Sequence, residues 1–240
     1  MTPETAMVLA AGRGERLRPL TDARPKPLVE VAGKALIDHV LDRLAAAGVT
    51  RAVVNLWYMA GTIERHLADR RRPAIALSHE SELLDTGGGV VNALGLLGDA
   101  PFYAVNSDVL WRDSGASALG RLAAVWDGGA MDALLLVVPV ERAVGYEGRG
   151  DFERDPNGGL RRRGAAAHAS YVFTGVQLLH PRLFRDAPAG PFSLNLVYDR
   201  ALAAGRLRGL VHAGDWLHVG TLAGLAEAER RLGEAPGGSD

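Results

Sequence analysis

Short, unbroken apolar runs alternate with stretches of helical periodicity along most of this chain, and that alternation admits few folds. The run from Ala6 to Ala11 is continuous and stops at Gly12, the pattern of a strand buried on both faces. Leu36, Ile37, Val40, Leu41 and Leu44 then recur at helical spacing ahead of Gly48, where a C-terminal cap glycine belongs, so 35–47 reads as an amphipathic helix. Arg51 to Leu56 is a second buried strand. The alternation continues with a helix near 60–69, a strand near 74–78 and a helix that begins after the glycines at 87–89.

A strand over Phe102 to Asn106, a helix over 116–126 and a strand over 132–140 complete the regular part. Glycines and Pro156 break every periodicity from about 141 to 170, which predicts hairpins or a substrate loop. Regularity returns with a strand at 171–179, a helix near 193–204, strands near 207–211 and 216–219, and a last helix from 222 to about 232. Strands separated by helical patterns of this length define βαβ units. The expected fold is α/β, a doubly wound, mostly parallel, Rossmann-like sheet in a single domain over 1–232, with 233–240 read as a disordered tail.

The 240 residues suffice for a sizeable core. Lys and Arg number 27 against 28 Asp and Glu, so no electrostatic footprint for nucleic acid or an anionic membrane exists, and small molecules are the expected partners. No apolar run approaches a membrane span. With no cysteine and no basic stretch ahead of the first strand, the expected location is cytoplasmic, and the expected state a monomer or small homo-oligomer. Only Lys26 and Lys34 are lysines, so a position that keeps lysine is a candidate for needing a compact ammonium.

The first strand leads into Gly12-Arg-Gly-Glu-Arg-Leu-Arg-Pro-Leu-Thr21. Glycines at 12 and 14 let backbone N–H groups approach phosphate oxygens, and Arg13, Arg16 and Arg18 add fixed positive charge. A dinucleotide fingerprint fails because position 17 is leucine, and a Walker loop fails because no Gly-Lys-Ser/Thr ending occurs. Arg24-Pro-Lys-Pro-Leu28 follows, with two prolines stiffening the backbone around Lys26, as suits a cation held over phosphates; a plain surface turn gives the same string. Asp108 stands just past a buried strand, where an open α/β sheet binds ligands and where a turn or helix cap also uses aspartate.

The glycine-arginine segment together with Pro25-Lys-Pro-Leu28 resembles the signature of the sugar-1-phosphate nucleotidyltransferase family. The resemblance extends over nearly the whole chain. It implies the fold of nucleotide-diphospho-sugar transferases and transfer of a nucleoside monophosphate from a nucleoside triphosphate (NTP) to a sugar 1-phosphate, with Mg²⁺ as cofactor. Arg16, Lys26 and Asp108 would be catalytic, and Ala10, Ala11, Gly12, Arg13 and Gly14 would hold the nucleotide. Glu80-Ser-Glu-Leu-Leu-Asp-Thr-Gly-Gly-Gly89 resembles the base- and ribose-recognition segment, which adds Glu80, Thr86, Gly87 and Gly88. Asn106-Ser-Asp108 resembles the motif whose aspartate binds the metal. Asn106, Gly145, Tyr171, Thr174 and Asn195, with Glu147, are candidates for the sugar phosphate.

Trp216-Leu-His-Val-Gly-Thr221 matches a later family motif with one departure: His218 stands where the family usually has a second metal-binding aspartate. Imidazole is a poorer ligand for Mg²⁺ than carboxylate, so His218 leaves the second metal position open. It also keeps a catalytically silent nucleotide-sugar sensor in view. Asp215 reaches that position only by a one-residue shift, which reverses side-chain direction on a strand. A glycosyltransferase of related architecture would carry Asp-x-Asp, which Asn106-Ser-Asp108 is not.

Overall fold

The computed structural model describes residues 2–233. Its framework is a nine-stranded sheet built from β1 (Thr5–Leu9), β4 (Arg51–Leu56), β5 (Ala74–His79), β6 (Phe102–Asn106), β8 (Ala133–Pro139), β10 (Phe152–Arg154), β11 (Leu160–Arg162), β12 (Tyr171–Leu179) and β13 (Leu207–Val211). Two short strands, β2 (Glu30–Val31) and β3 (Lys34–Ala35), make a separate hairpin. A three-stranded sheet joins β7 (Val109–Arg112), β9 (Ala143–Val144) and β14 (Asp215–His218).

The strands β6-β1-β4-β5 lie side by side and parallel, and β13 is parallel to β8. Between these groups β12 runs antiparallel to both β6 and β8, so the sheet is mixed, with its parallel character concentrated in the N-terminal half. Beyond β12 the glycine-broken stretch folds into the antiparallel β10–β11 hairpin, one of the expected hairpins.

Alternation within β1 explains the double winding. Ala6 and Val8 face a core filled by α2 (Leu36–Ala46), α3 (Ala60–Leu67) and α5 (Ala118–Val125), while Met7 faces one filled by α4 (Asp85–Leu97) and α6 (Asn195–Ala203). Ala6, Met7 and Val8 are therefore all buried, at about 25 cal/mol for every Å² of apolar surface removed from water. A third cluster packs α7 (Leu222–Gly233) on β14, with Leu217, Val219 and Ala228 buried together.

Two expectations are corrected. The helix expected to begin after the glycines at 87–89 begins at Asp85, with all three glycines inside its first turns. Gly233 closes α7 and does not open the expected tail; the remainder of that expectation lies outside the described residues. Among the described residues no helix is long and apolar enough to cross a membrane.

Asp132 fastens the starts and ends of three adjacent strands. Its carboxylate pairs with Arg182, just past β12, and with Arg206 Nε at 2.9 Å, just ahead of β13. Burial would raise its pKa, but the hydrogen bonds and charges of Arg206 and Arg182 hold it below the usual carboxylate range. A depressed native pKa gives stability that is present above the unfolded value, about 3.9, and is lost as pH falls through the native one. Asp132→Asn is therefore expected to lower unfolding free energy at pH 7 by about 1 to 2 kcal/mol, allowing for solvent screening. In urea titrations the gap from wild type should close as pH falls below about 4; a gap unchanged at acid pH would contradict this account.

Candidate active site

Two cavities, of about 850 and 410 Å³, open beside the carboxyl ends of the parallel strands, and Arg16 and Asn106 line both. They are adjoining lobes of one cleft. Topology puts the cleft there: β1 lies between β4 and β6, so connections leave it in opposite directions and their loops part above it.

The loop after β1 turns sharply at Gly14, whose φ of +67° is a left-handed conformation open to glycine at little cost. Gly14 O accepts hydrogen bonds from Leu17 N at 2.9 Å and from the Thr21 hydroxyl at 3.0 Å, and buried Leu17 anchors the turn. The stem of Lys26 lies against this turn. A Cβ on residue 14 would stand 2.7 Å from the Lys26 Cβ. On the other side, Ser107 N donates to Leu9 O at 3.1 Å, extending the β1–β6 pairing just far enough to hold Asp108 over β1. Lys26 Nζ and Asp108 Oδ2 meet at 2.5 Å, with side chains 12 % and 20 % exposed.

That meeting sets the charge of the site. Burial alone would raise the Asp108 pKa, but the Lys26 charge and hydrogen bond, helped by His218, hold it below the usual carboxylate range. His218 is pushed the other way. Burial lowers its pKa, the Asp108 charge works against that, and Lys26 and Arg16 add to the lowering, so its ring is neutral at pH 7. The neutral ring stacks on Trp216, with centroids 5.7 Å apart and planes at 28°, and lines the smaller lobe. Asp215 is exposed and lines neither lobe, as the reversal of direction along a strand requires.

Of the residues singled out by sequence, Ala10, Ala11, Gly12, Arg13, Gly14, Arg16, Lys26, Thr86, Asn106 and Asp108 line the larger lobe. Gly145, Glu147, Thr174 and His218 line the smaller one. Five expected contacts fall differently. Glu80 turns inward, its carboxylate accepting from Asn55 Nδ2 at 2.7 Å and Leu84 N at 3.0 Å. Gly87 and Gly88 donate their N–H groups to Phe192 O at 2.8 and 3.1 Å, so those donors are not free for a nucleotide. A Cβ at either position would strike Phe192 or Gly190, so these glycines serve helix-to-loop packing.

Tyr171 packs into the α4/α6 core, and Phe173 is the aromatic residue of β12 on the cavity wall. Asn195 is exposed at the start of α6 and accepts from Arg162 at 2.9 Å, away from both lobes. Thr174 reaches the wall, but its buried hydroxyl donates to Leu136 O at 2.8 Å and is spent within the sheet.

Asn55 carries in the sequence the same kind of signal as Asn106. It is a polar residue near the end of an otherwise apolar strand, as Asn106 is, and it lines the larger lobe. Its Oδ1 accepts from Ala10 N at 2.8 Å while its Nδ2 donates to Glu80, so one buried amide ties the phosphate loop to the segment that opens α4. Asn55→Ala leaves Ala10 N unpaired and removes one of the two hydrogen bonds that the Glu80 carboxylate accepts, and should cost about 2 to 3 kcal/mol. A thermal midpoint drop together with a raised KM for nucleotide is the expected result, and unchanged nucleotide KM would deny the coupling.

Asp108 offers the hard oxygen donor suited to a divalent cation. Among the described residues no group of three or more His, Cys, Asp or Glu side chains could hold a metal ion, so the cleft is no protein-only cage. An anionic phosphate chain, bound between glycine-loop N–H groups, Arg16 and Lys26, is what the wall composition favours.

A doubly wound sheet with a glycine-arginine loop at its switch point and a cleft above it is the architecture of nucleotide-binding α/β proteins. The chain belongs to the nucleotidyl transferase family, whose model matches residues 5–234. It is 44 % identical to an N-acetylmuramate alpha-1-phosphate uridylyltransferase of Caulobacter vibrioides, over 97 % of this chain and 98 % of that one. A protein of the same name from Neisseria meningitidis serogroup B is 36 % identical, over 95 % and 98 %. A mannose-1-phosphate guanyltransferase of Neurospora crassa is a more distant relative, 30 % identical over 90 % of this chain but 60 % of its own length. The crystal structure of HddC from Yersinia pseudotuberculosis, complexed with GMP-PN, shares the fold, with a TM-score of 0.78 at 21 % identity over 95 % of this chain and 99 % of that one.

Proposed function

We propose that this protein transfers UMP from UTP to N-acetylmuramate 1-phosphate, giving UDP-N-acetylmuramate and pyrophosphate, in cytoplasmic peptidoglycan recycling. The observation that carries the reading is near-full-length identity to uridylyltransferases of that specificity, joined to a two-lobed cleft bridged by Arg16 and Asn106. The Asp85-Thr-Gly-Gly-Gly form and the Trp216 to Thr221 segment support the same branch of the family.

The larger lobe takes the triphosphate and the smaller one the sugar phosphate, so the nucleophile and the α-phosphorus meet at Arg16. A sugar 1-phosphate oxygen is already anionic at neutral pH, and no general base is needed. The barrier is repulsion between two anions together with charge developing on the departing pyrophosphate. Arg16, Lys26 and the Gly12–Gly14 backbone offset that charge and align an in-line displacement without a covalent enzyme intermediate. Asp108, together with the substrate's own phosphates, would hold Mg²⁺, which would supply further charge neutralisation there.

The test is pyrophosphate release over a grid of UTP, GTP, CTP, dTTP and ATP against the 1-phosphates of N-acetylmuramate, N-acetylglucosamine, glucose and mannose. The expected signal is confined to UTP with N-acetylmuramate 1-phosphate and disappears when EDTA removes Mg²⁺. Activity with GTP and mannose 1-phosphate would move the protein to another pathway. Silence across the grid would favour the sensor that His218 keeps in view.

A further inference from the structure

The Arg13 guanidinium lies over the Trp57 indole, 4.9 Å from the ring centroid, and both residues line the larger lobe. Trp57 directly follows β4 and is half-buried; Arg13 is exposed. Lys26, the neighbouring cation, is engaged by Asp108. Arg13 makes no ion pair among the described residues, so its placement rests on the indole.

We propose that Trp57 is a positioning residue for polyphosphate binding: its indole holds Arg13 in the wall of the nucleotide lobe, with the guanidinium edge free to receive phosphate oxygens. This rests on the nucleotidyl-transfer reading. A planar guanidinium uses its face for an aromatic ring and its edge for a bidentate phosphate contact, so the two interactions are compatible in one geometry. Arginine on a loop has many rotamers, and stacking removes part of that freedom before the ligand arrives. Among the described residues Trp57 is the one aromatic side chain that lines this lobe. Trp57 thus acts through Arg13.

The test is a double-mutant cycle on the full chain, with calorimetric binding of UTP, inorganic triphosphate and uridine to wild type, Arg13→Gln, Trp57→Leu, Trp57→Phe and the Arg13→Gln/Trp57→Leu double variant. Thermal melts establish that each variant folds. Arg13→Gln and Trp57→Leu are each expected to weaken UTP and triphosphate binding roughly 5- to 20-fold. The double variant should be no weaker than Arg13→Gln by more than about 2-fold, because the indole has nothing left to position. Phenylalanine at 57 should restore most of the affinity, and uridine binding should not respond.

Additive losses, or wild-type triphosphate affinity in Trp57→Leu, would overturn the coupling. Loss of uridine affinity in Trp57→Leu would overturn it too, since the indole would then be stacking on the base. A wild-type protein that binds triphosphate but no nucleoside triphosphate would refute the transfer reading while leaving the pair measurable, whereas binding of neither would sink both.

Discussion

Asp108→Asn is expected to lower kcat/KM for nucleotidyl transfer by roughly 10³-fold while leaving the thermal midpoint within a few degrees of wild type. Asparagine keeps the size of the side chain and an oxygen that can accept from Lys26 Nζ, so the packing over β1 has no reason to change. What disappears is the negative charge, and with it the anchor proposed for a cation between the phosphates. The loss should fall on kcat more than on KM for the sugar phosphate, because the missing interaction matters most as charge moves onto pyrophosphate. Steady-state kinetics across Mg²⁺ concentrations, with melting curves alongside, make the check. Activity within about tenfold of wild type at saturating Mg²⁺ would remove Asp108 from the mechanism.

Such a sharp expectation is available because the site's chemistry is carried by local strings. Gly12 to Thr21, Pro25 to Leu28 and Asn106 to Asp108 each sit at one strand end or the loop beyond it, and strands over Arg51 to Leu56, Phe102 to Asn106 and 171–179 were readable at their observed limits. Those runs are apolar enough that both faces had to be buried. The failures share a different cause. Gly87 and Gly88 look like donors to a ligand until Phe192 O, a hundred positions away, takes their N–H groups. Glu80 looks like a recognition carboxylate until Asn55 and Leu84 N claim it. Strand β7 is not legible locally, because its partner, β14, is distant in sequence and Val109 to Arg112 has too few residues to show a period. Tyr171 and Phe173 lie on the same face of one strand, yet Phe173 alone of the two lines the cavity, together with the 145–148 segment. In each case the deciding partner lies outside any local window.

Replacing Lys26 should damage both folding and activity, unlike the change at Asp108. In Lys26→Met the stem is kept and the ammonium lost, so a largely buried carboxylate is left without its partner 2.5 Å away. Breaking a fully buried pair this way costs about 3 to 5 kcal/mol; with side chains 12 % and 20 % exposed, about 2 kcal/mol is expected here. Added Mg²⁺ should recover part of that loss and raise the melting point of the variant more than that of wild type, because the ion and the lysine serve the same carboxylate. Activity should fall roughly 10²- to 10³-fold even at saturating Mg²⁺, since the cation proposed to lie over the phosphates is gone. Lys26→Arg should not restore it: the stem at position 26 is wedged against Gly14, and a guanidinium needs a wider, planar space than an ammonium does. Gly14→Ala tests the wedge from the opposite side. It forces an L-residue into a left-handed turn, at about 1 to 2 kcal/mol, and pushes a methyl group to 2.7 Å from the Lys26 Cβ. Its activity should fall with that of Lys26→Met. A Gly14→Ala enzyme that is destabilised yet fully active would separate the turn from the lysine it is argued to place.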